Sequence, residues 1–436
     1  MNMFRTLLAA GLVLAAGSSA WAASPPELLA QGEYIARAGD CIVCHTGEAD
    51  KPFAGGLKMG TPLGAIYTTN ITPDKDTGIG TYTFEDFDSA MRRGIAKGGR
   101  RLFPAMPYPS YANMAEADMR ALYAFFMEGV QPAARATEKP ELPSLINKPW
   151  MLNLGLAVWQ GVFHKVTAFA PQTDRDAAWN RGAYLVEGLG HCGSCHTPRG
   201  IFFQEKALIS TNPVFLSGAQ LDYWSAPNLH ADLGDGLGAW SEADTAAFLK
   251  TGHAPTSTAF GTMIDVVNNS TQYMTDADLA AMAKYIKSLP AGARPGGKTP
   301  VYDEATTKHL NAPGEKSVGE RVYLQRCSSC HARDGKGRDQ YLPPLFGNPA
   351  VLDADSSSLI NVTLNGSQRI VLDGAPDAYR MIPFRVLLND EEVAAVVSYI
   401  RGGWGNNAKP VMAKDVAVIR KLTDPASDQV VILKMR

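Results

Sequence analysis

Apolar residues recur at helical spacing three times along this chain, each time in the same short grammar. Met119, Ala121, Leu122, Phe125 and Phe126 make the first run, Leu279, Ala281, Met282, Tyr285 and Ile286 the second, and Val393, Ala395, Val396, Tyr399 and Ile400 the third. Steps of three and four between apolar positions mark one buried helix face. Glu116, Asp276, Asp390 and Glu391 stand near the starts of these runs, where the positive end of a helix dipole favours acids. Upstream of each run lies a shorter segment opened by glycine: Gly32 with Tyr34, Ile35 and Ala36; Gly182 with Tyr184, Leu185 and Val186; Gly319 with Val322, Tyr323 and Leu324. This recurrence predicts a mainly α chain in which one unit is used three times.

Other apolar stretches fall outside the repeat. Arg5, an apolar run from Leu7 to Ala16, and the small-residue pattern Ala20, Trp21, Ala22 read as an export signal over residues 1–22. The stretch from Trp150 to Phe163 is interrupted by Asn153 and Gln160 and is shorter than the ~20 residues a spanning helix needs. It suits a helix lying at a membrane surface with Trp150 and Trp159 as anchors, or a contact that docks one unit on another. The tail, residues 406–436, mixes apolar and basic residues and suits the same two roles. Pro132, Pro140, Pro143, Pro149 and Pro171 mark residues 132–174 as a linker or docking segment, and clustered Gly and Pro mark residues 291–313 as a second linker. The units are then residues 23–131, 175–290 and 314–405.

Composition adds little until the cysteines are placed. A formal net charge of −2 over 436 residues gives no basic surface of the kind a nucleic-acid partner requires. There are six cysteines, and all lie in Cys-x-x-Cys-His blocks: Cys41, Cys44 and His45; Cys192, Cys195 and His196; Cys327, Cys330 and His331. Residues three apart share a helix face, so both thiols of a block reach the two vinyl groups of one macrocycle while the next histidine points at its iron. The spacing is that of c-type haem attachment and predicts three covalent haem c groups, one per unit. A Cys₄ zinc site pairs two blocks and strands the third, and a thiol redox pair gives no reason for histidine in the next position. The sequence offers no dinucleotide fingerprint, Ser-His-Asp grouping or His-Glu-x-x-His pair, so no catalytic residue is assigned.

Repeat register also selects sixth ligands, for which a methionine thioether is the usual choice in electron carriers. Among 15 methionines, Met106 and Met381 stand in Pro-bearing loops before the closing helices of the first and third units. In the second unit Met263 matches that register better than Met274. His164, His191, His230, His253 and His309 keep a bis-histidine alternative open, most directly through His230 and His253. Loops around residues 67–74, 225–229 and 342–348 are placed to hydrogen-bond haem carboxylates and to offer a backbone carbonyl to the proximal imidazole; asparagine there also suits turns for conformational reasons alone.

The paired helices resemble the first and last helices of the class I cytochrome c fold, in which a glycine on one helix admits an aromatic of the other. That resemblance pairs Gly32 with Phe125, Gly182 with Tyr285 and Gly319 with Tyr399, and implies three tandem class I cytochrome c domains joined by Pro/Gly-rich linkers. Residues 32–41, 52–56, 67–74, 104–111 and 181–192 together resemble the triple-haem cytochrome c subunits of bacterial membrane-bound dehydrogenases that act on gluconate, other sugars or alcohols. Residues 181–192 and 204–208 look closest to the gluconate dehydrogenase branch. The resemblance implies a flavin- or PQQ-dependent catalytic subunit as partner, with a small third subunit in some assemblies. It also implies ubiquinone as acceptor and peripheral attachment to the periplasmic side of the inner membrane. Two alternatives are a multihaem peroxidase and an electron acceptor or shuttle for a molybdenum hydroxylase.

Overall fold

The computed structural model describes residues 24–61, 63–221, 223–292, 299–338, 341–377 and 379–426. The export signal expected at residues 1–22 and the end of the tail, residues 427–436, lie outside the described residues. The glycine-opened segments form leading helices, Pro26–Ala38, Ala177–Ala183 and Val318–Val322. The apolar runs form closing helices, Glu116–Ala124, Asp276–Lys287 and Asp390–Gly402. Local chemistry explains where they start. Asp176 accepts from the Trp179 N–H, while Ser317 with Glu320 and Asn389 with Glu392 form reciprocal capping boxes that satisfy otherwise unpaired N–H groups.

Each leading helix crosses its closing helix at the glycine. A β-carbon on Gly32 would lie 2.6 Å from Cβ of Phe125, on Gly182 2.8 Å from Cβ of Tyr285, and on Gly319 3.0 Å from Cβ of Tyr399. In all three crossings the carbonyl oxygen of an alanine one turn earlier, Ala121, Ala281 or Ala395, is closer still. These are the glycine–aromatic pairs expected from the sequence, and they bring two backbones together more closely than any side chain permits. The second unit has ten residues from Gly182 to Cys192 against nine from Gly32 to Cys41. π turns follow the leading helices of the second and third units, at Tyr184–Leu189 and Tyr323–Cys327.

Burial divides the molecule unevenly. The first and second helix pairs share one core, in which Ile35, Met119, Leu122 and Phe126 join Trp179, Leu185, Met282 and Tyr285. The third pair builds its own around Tyr323, Leu364, Val393 and Trp404, with Trp224 reaching in from the second. Leu310, from within residues 291–313, and Val416 and Ile419, from within residues 406–436, belong to this third core. Short antiparallel hairpins decorate the helices: Lys58–Thr61 with Gly64–Tyr67, and Ala219–Leu221 with Trp224–Ala226, occupy corresponding places in the first two units.

The apolar stretch of residues 132–174 forms the helix Pro149–Phe163, and its polar side chains face inward. Asn153 accepts from the Arg101 N–H at 2.7 Å, and Gln160, buried, donates to the Gly94 carbonyl at 3.0 Å and accepts from Arg101. Trp159 and Phe163 turn to the second unit, where Trp159 Nε1–H donates to the Phe202 carbonyl at 2.9 Å and Phe163 packs on the Phe202 ring. Trp150, Leu154, Val158 and Val162, four residues apart, remain 58–65% exposed. Among the described residues no helix is long and apolar enough to cross a membrane.

Because backbone lies under the missing β-carbon, Gly182→Ala should destabilise the fold by at least the ~1–3 kcal/mol typical of overpacking. Thermal melting of the variant should show a lowered midpoint, whereas Gly155→Ala, whose β-carbon meets nothing within 4 Å, should leave it in place or raise it.

Candidate haem-attachment sites

The three cysteine blocks occupy single helical turns, Cys41–His45, Gly193–His196 and Ser328–His331, soon after their leading helices. No two of the six cysteines are joined in a disulfide. Burial pushes the thiols of Cys41, Cys44, Cys192 and Cys327 up to about 12, which disfavours the thiolate form. Among the described residues no three His, Cys, Asp or Glu side chains converge as a metal-binding set.

What recurs is the treatment of each histidine. His45 Nδ1 lies 2.7 Å from the Thr69 carbonyl oxygen, His196 Nδ1 2.8 Å from that of Pro227, and His331 Nδ1 3.0 Å from that of Pro343. A carbonyl only accepts, so Nδ1 carries the proton and Nε2 keeps its lone pair for a metal. Burial lowers the pKa of all three imidazoles against the opposing pull of the carbonyl, which keeps them neutral. All three carbonyls come from the loops expected to supply them. Asn70 and Asn228 brace these loops. Asn70 accepts from Thr72 and donates to the Ala133 carbonyl, and Asn228 accepts from the His230 N–H and donates to Asp232.

A second recurrence escaped the sequence. The N–H of Gly55 donates to the His45 carbonyl at 2.7 Å, that of Gly218 to the His196 carbonyl at 2.7 Å, and that of Gly337 to the His331 carbonyl at 3.1 Å. Each of these glycines has positive φ, at 72°, 88° and 71°, where other residues are strained. A β-carbon on Gly55 would strike the Thr69 carbonyl, and one on Gly337 the Leu342 carbonyl. The glycines follow their histidines by ten, 22 and six residues. No fixed offset links them, and only the loop geometry makes them equivalent.

The methionines selected by register are half-buried. Met106 and Met263 pack against the shared core, as Cys41 and Cys192 do; Met263 also packs against a small cluster with Ile264 and Ile370, and Met381 packs against the third core, as Cys327 does. Met274 is buried within the shared core at 3% exposure, as a packing residue. The remaining histidines have other partners. His230 places Nδ1 2.8 Å from the Pro290 carbonyl and Nε2 2.5 Å from the Phe215 carbonyl, occupying both ring nitrogens. His253 pairs with Asp377 at 3.1 Å, His164 with the Arg92 carbonyl at 2.8 Å, His191 with the Gly39 carbonyl at 3.3 Å, and His309 with Glu320 at 2.9 Å.

The model of the cytochrome c family matches residues 317–404, a span that contains the third block. Over 401 residues the chain is 48% identical to the gluconate 2-dehydrogenase cytochrome c subunit of Pantoea cypripedii, covering 90% of each chain. It is 44% identical to the alcohol dehydrogenase (quinone) cytochrome c subunit of Gluconobacter oxydans, covering 96% of this chain and 88% of the relative. The chain belongs to this family of cytochrome c subunits. A further member, the fructose dehydrogenase cytochrome subunit of Gluconobacter japonicus, is 35% identical over 90% of this chain and 82% of its own. Covalent haem c and electron transfer come with the family. The donor set fits that group: at each block two thiols one helical turn apart stand beside an imidazole whose Nε2 is left unprotonated.

Proposed function

We propose that this cytochrome c subunit holds three haem c groups and relays electrons from a dehydrogenase of CH–OH donors to ubiquinone. The observation that carries the reading is the threefold recurrence of one arrangement: block histidine, loop carbonyl on Nδ1, and positive-φ glycine on the histidine carbonyl. When bound, haem c supplies a one-electron iron couple. Cys41 with Cys44, Cys192 with Cys195, and Cys327 with Cys330 form the thioethers. His45, His196 and His331 ligate through Nε2, held in orientation by Thr69, Pro227 and Pro343. Met106, Met263 and Met381 would supply thioether sulfur to the iron, a ligand that raises the reduction potential. The chain performs no substrate chemistry of its own.

The names of the relatives support a gluconate-, alcohol- or sugar-oxidising partner subunit, and the resemblance makes that partner flavin- or PQQ-dependent, with a small third subunit in some assemblies. The resemblance adds ubiquinone and the periplasmic face of the inner membrane. The exposed stripe Trp150, Leu154, Val158 and Val162 gives a way to reach that surface. Its neighbours Ile201 and Phe202 are exposed as well, Lys148 and Lys165 flank the helix, and no Asp or Glu occurs from Leu142 to Thr173. An apolar face with basic ends and no acids suits an anionic bilayer interface.

Intact mass of protein exported by a haem-attaching host should show three added macrocycles, and fewer would overturn the reading. Met263→Leu should lower the potential of one haem by on the order of 100 mV, within the ~0.8 V span that axial ligands command, and leave the other two; spectroelectrochemical titration checks this. Leu154→Glu with Val158→Glu should move the protein from sedimenting anionic vesicles to the supernatant without altering its haem spectrum.

A further inference from the structure

The first two units are joined by one contact made twice, with the roles exchanged. Tyr34, two residues after Gly32 on the first leading helix, donates its hydroxyl to Asp278 on the second closing helix at 2.6 Å. Tyr184, two residues after Gly182 and first in the π turn that continues the second leading helix, donates to Asp118 on the first closing helix, also at 2.6 Å. Asp118 and Asp278 are equivalent, each three residues before the alanine whose carbonyl lies under the crossing glycine.

The surroundings repeat as well. The Thr275 N–H donates to the Tyr34 oxygen at 3.2 Å and the Ala115 N–H to the Tyr184 oxygen at 3.1 Å. Each carboxylate is steadied by the residue before its own unit's glycine: Gln31 donates to Asp118 at 3.0 Å, and Arg181 grips Asp278 through two contacts of 2.8 Å. Burial first, and then the bonded carboxylate, push both tyrosine hydroxyls above their ordinary value, so they remain donors. A contact in which equivalent residues trade places is the signature of a two-fold relation.

The third unit is built without it. Val318, Arg321 and Glu392 stand where the clasp residues would be, and Glu392 is used to cap its own helix through the Asn389 N–H. That unit meets the second elsewhere, through Ser225 with Asp353 at 2.6 Å and His253 with Asp377 at 3.1 Å.

The same two units also meet at the segments that lead into their cysteine blocks. Tyr111 donates to the Gly39 carbonyl at 3.0 Å, His191 meets the same oxygen, and the Tyr111 and His191 rings stack edge to face at 5.7 Å. Gly39 lies two residues before Cys41, and His191 immediately precedes Cys192.

We infer that the reciprocal tyrosine–aspartate clasp is a positioning device that holds the first two haem sites as a pseudosymmetric pair for direct electron exchange, with the third site outside the pair. This rests on the haem reading above. Two closely held haems give an excitonic couplet in the circular dichroism of their main absorption band. In the intact three-haem protein, Tyr34→Phe with Tyr184→Phe should reduce that couplet while haem count and absorption stay unchanged, and Arg321→Gln should leave it untouched.

Loss of the hydroxyls lowers the melting midpoint whether the clasp merely stabilises or also positions, so the couplet decides. A couplet that persists in the double variant, or that responds instead to Asp377→Asn at the contact of second and third units, would overturn the inference. If the double variant does not fold, Tyr34→Phe alone should give a partial loss, and an unaltered couplet in it counts against the clasp equally. Parent protein lacking a full set of macrocycles by mass fails the haem reading, a separate result.

Discussion

The contact on which this molecule depends has no polar chemistry. At Gly32, Gly182 and Gly319 a leading helix presses its backbone against the carbonyl of a closing helix, with an aromatic side chain alongside. Because nothing larger than hydrogen fits, the depth of each crossing is fixed by hard contact instead of by an adjustable side chain. The cysteine block follows within ten residues of the glycine, so the place where its thiols and imidazole emerge is set by that crossing. Loops then close over a position already determined.

Those loops act through backbone atoms. The carbonyls of Thr69, Pro227 and Pro343 orient the imidazoles, and the N–H groups of Gly55, Gly218 and Gly337 hold the chain behind them. The first two carbonyls follow hairpins, whereas the third follows a single bridge between Arg338 and Leu342. Side-chain identity varies freely under such an arrangement, because the hydrogen bond asks only for a peptide group in the right place. Burial does the remaining electrostatic work, keeping the imidazoles and most of the thiols neutral without dedicated charged partners.

Above the level of the unit, equivalence ends. The first and second units share a core and a reciprocal clasp, while the third keeps a core of its own and joins through different residues. A chain assembled this way joins its neighbouring units in two different ways, one through a shared core and a reciprocal clasp and the other through bonds such as Ser225 with Asp353. The helix Pro149–Phe163 spans the first two units from outside, with Asn153 and Gln160 turned in and an apolar stripe turned out.

Much of each unit was legible in the residues alone, because its signals are local. Cysteines three apart with histidine next define a block, apolar steps of three and four define the closing helix, and the glycine announces the crossing. Shared register then separated Met263 from Met274. Asn153 and Gln160 looked like interruptions of an apolar stretch, since a one-dimensional pattern does not say which side of a helix meets protein. Gly55, Gly218 and Gly337 were hidden by unequal loop lengths, and Tyr34 and Asp278 by 244 residues of separation. The amino-acid order by itself determined where the cysteine blocks and the apolar helix faces fall, because short-range spacing governs helix faces and covalent reach. Only the tertiary structure decided which units face each other and which peptide groups serve each histidine, because those contacts depend on how loops of different length close in space.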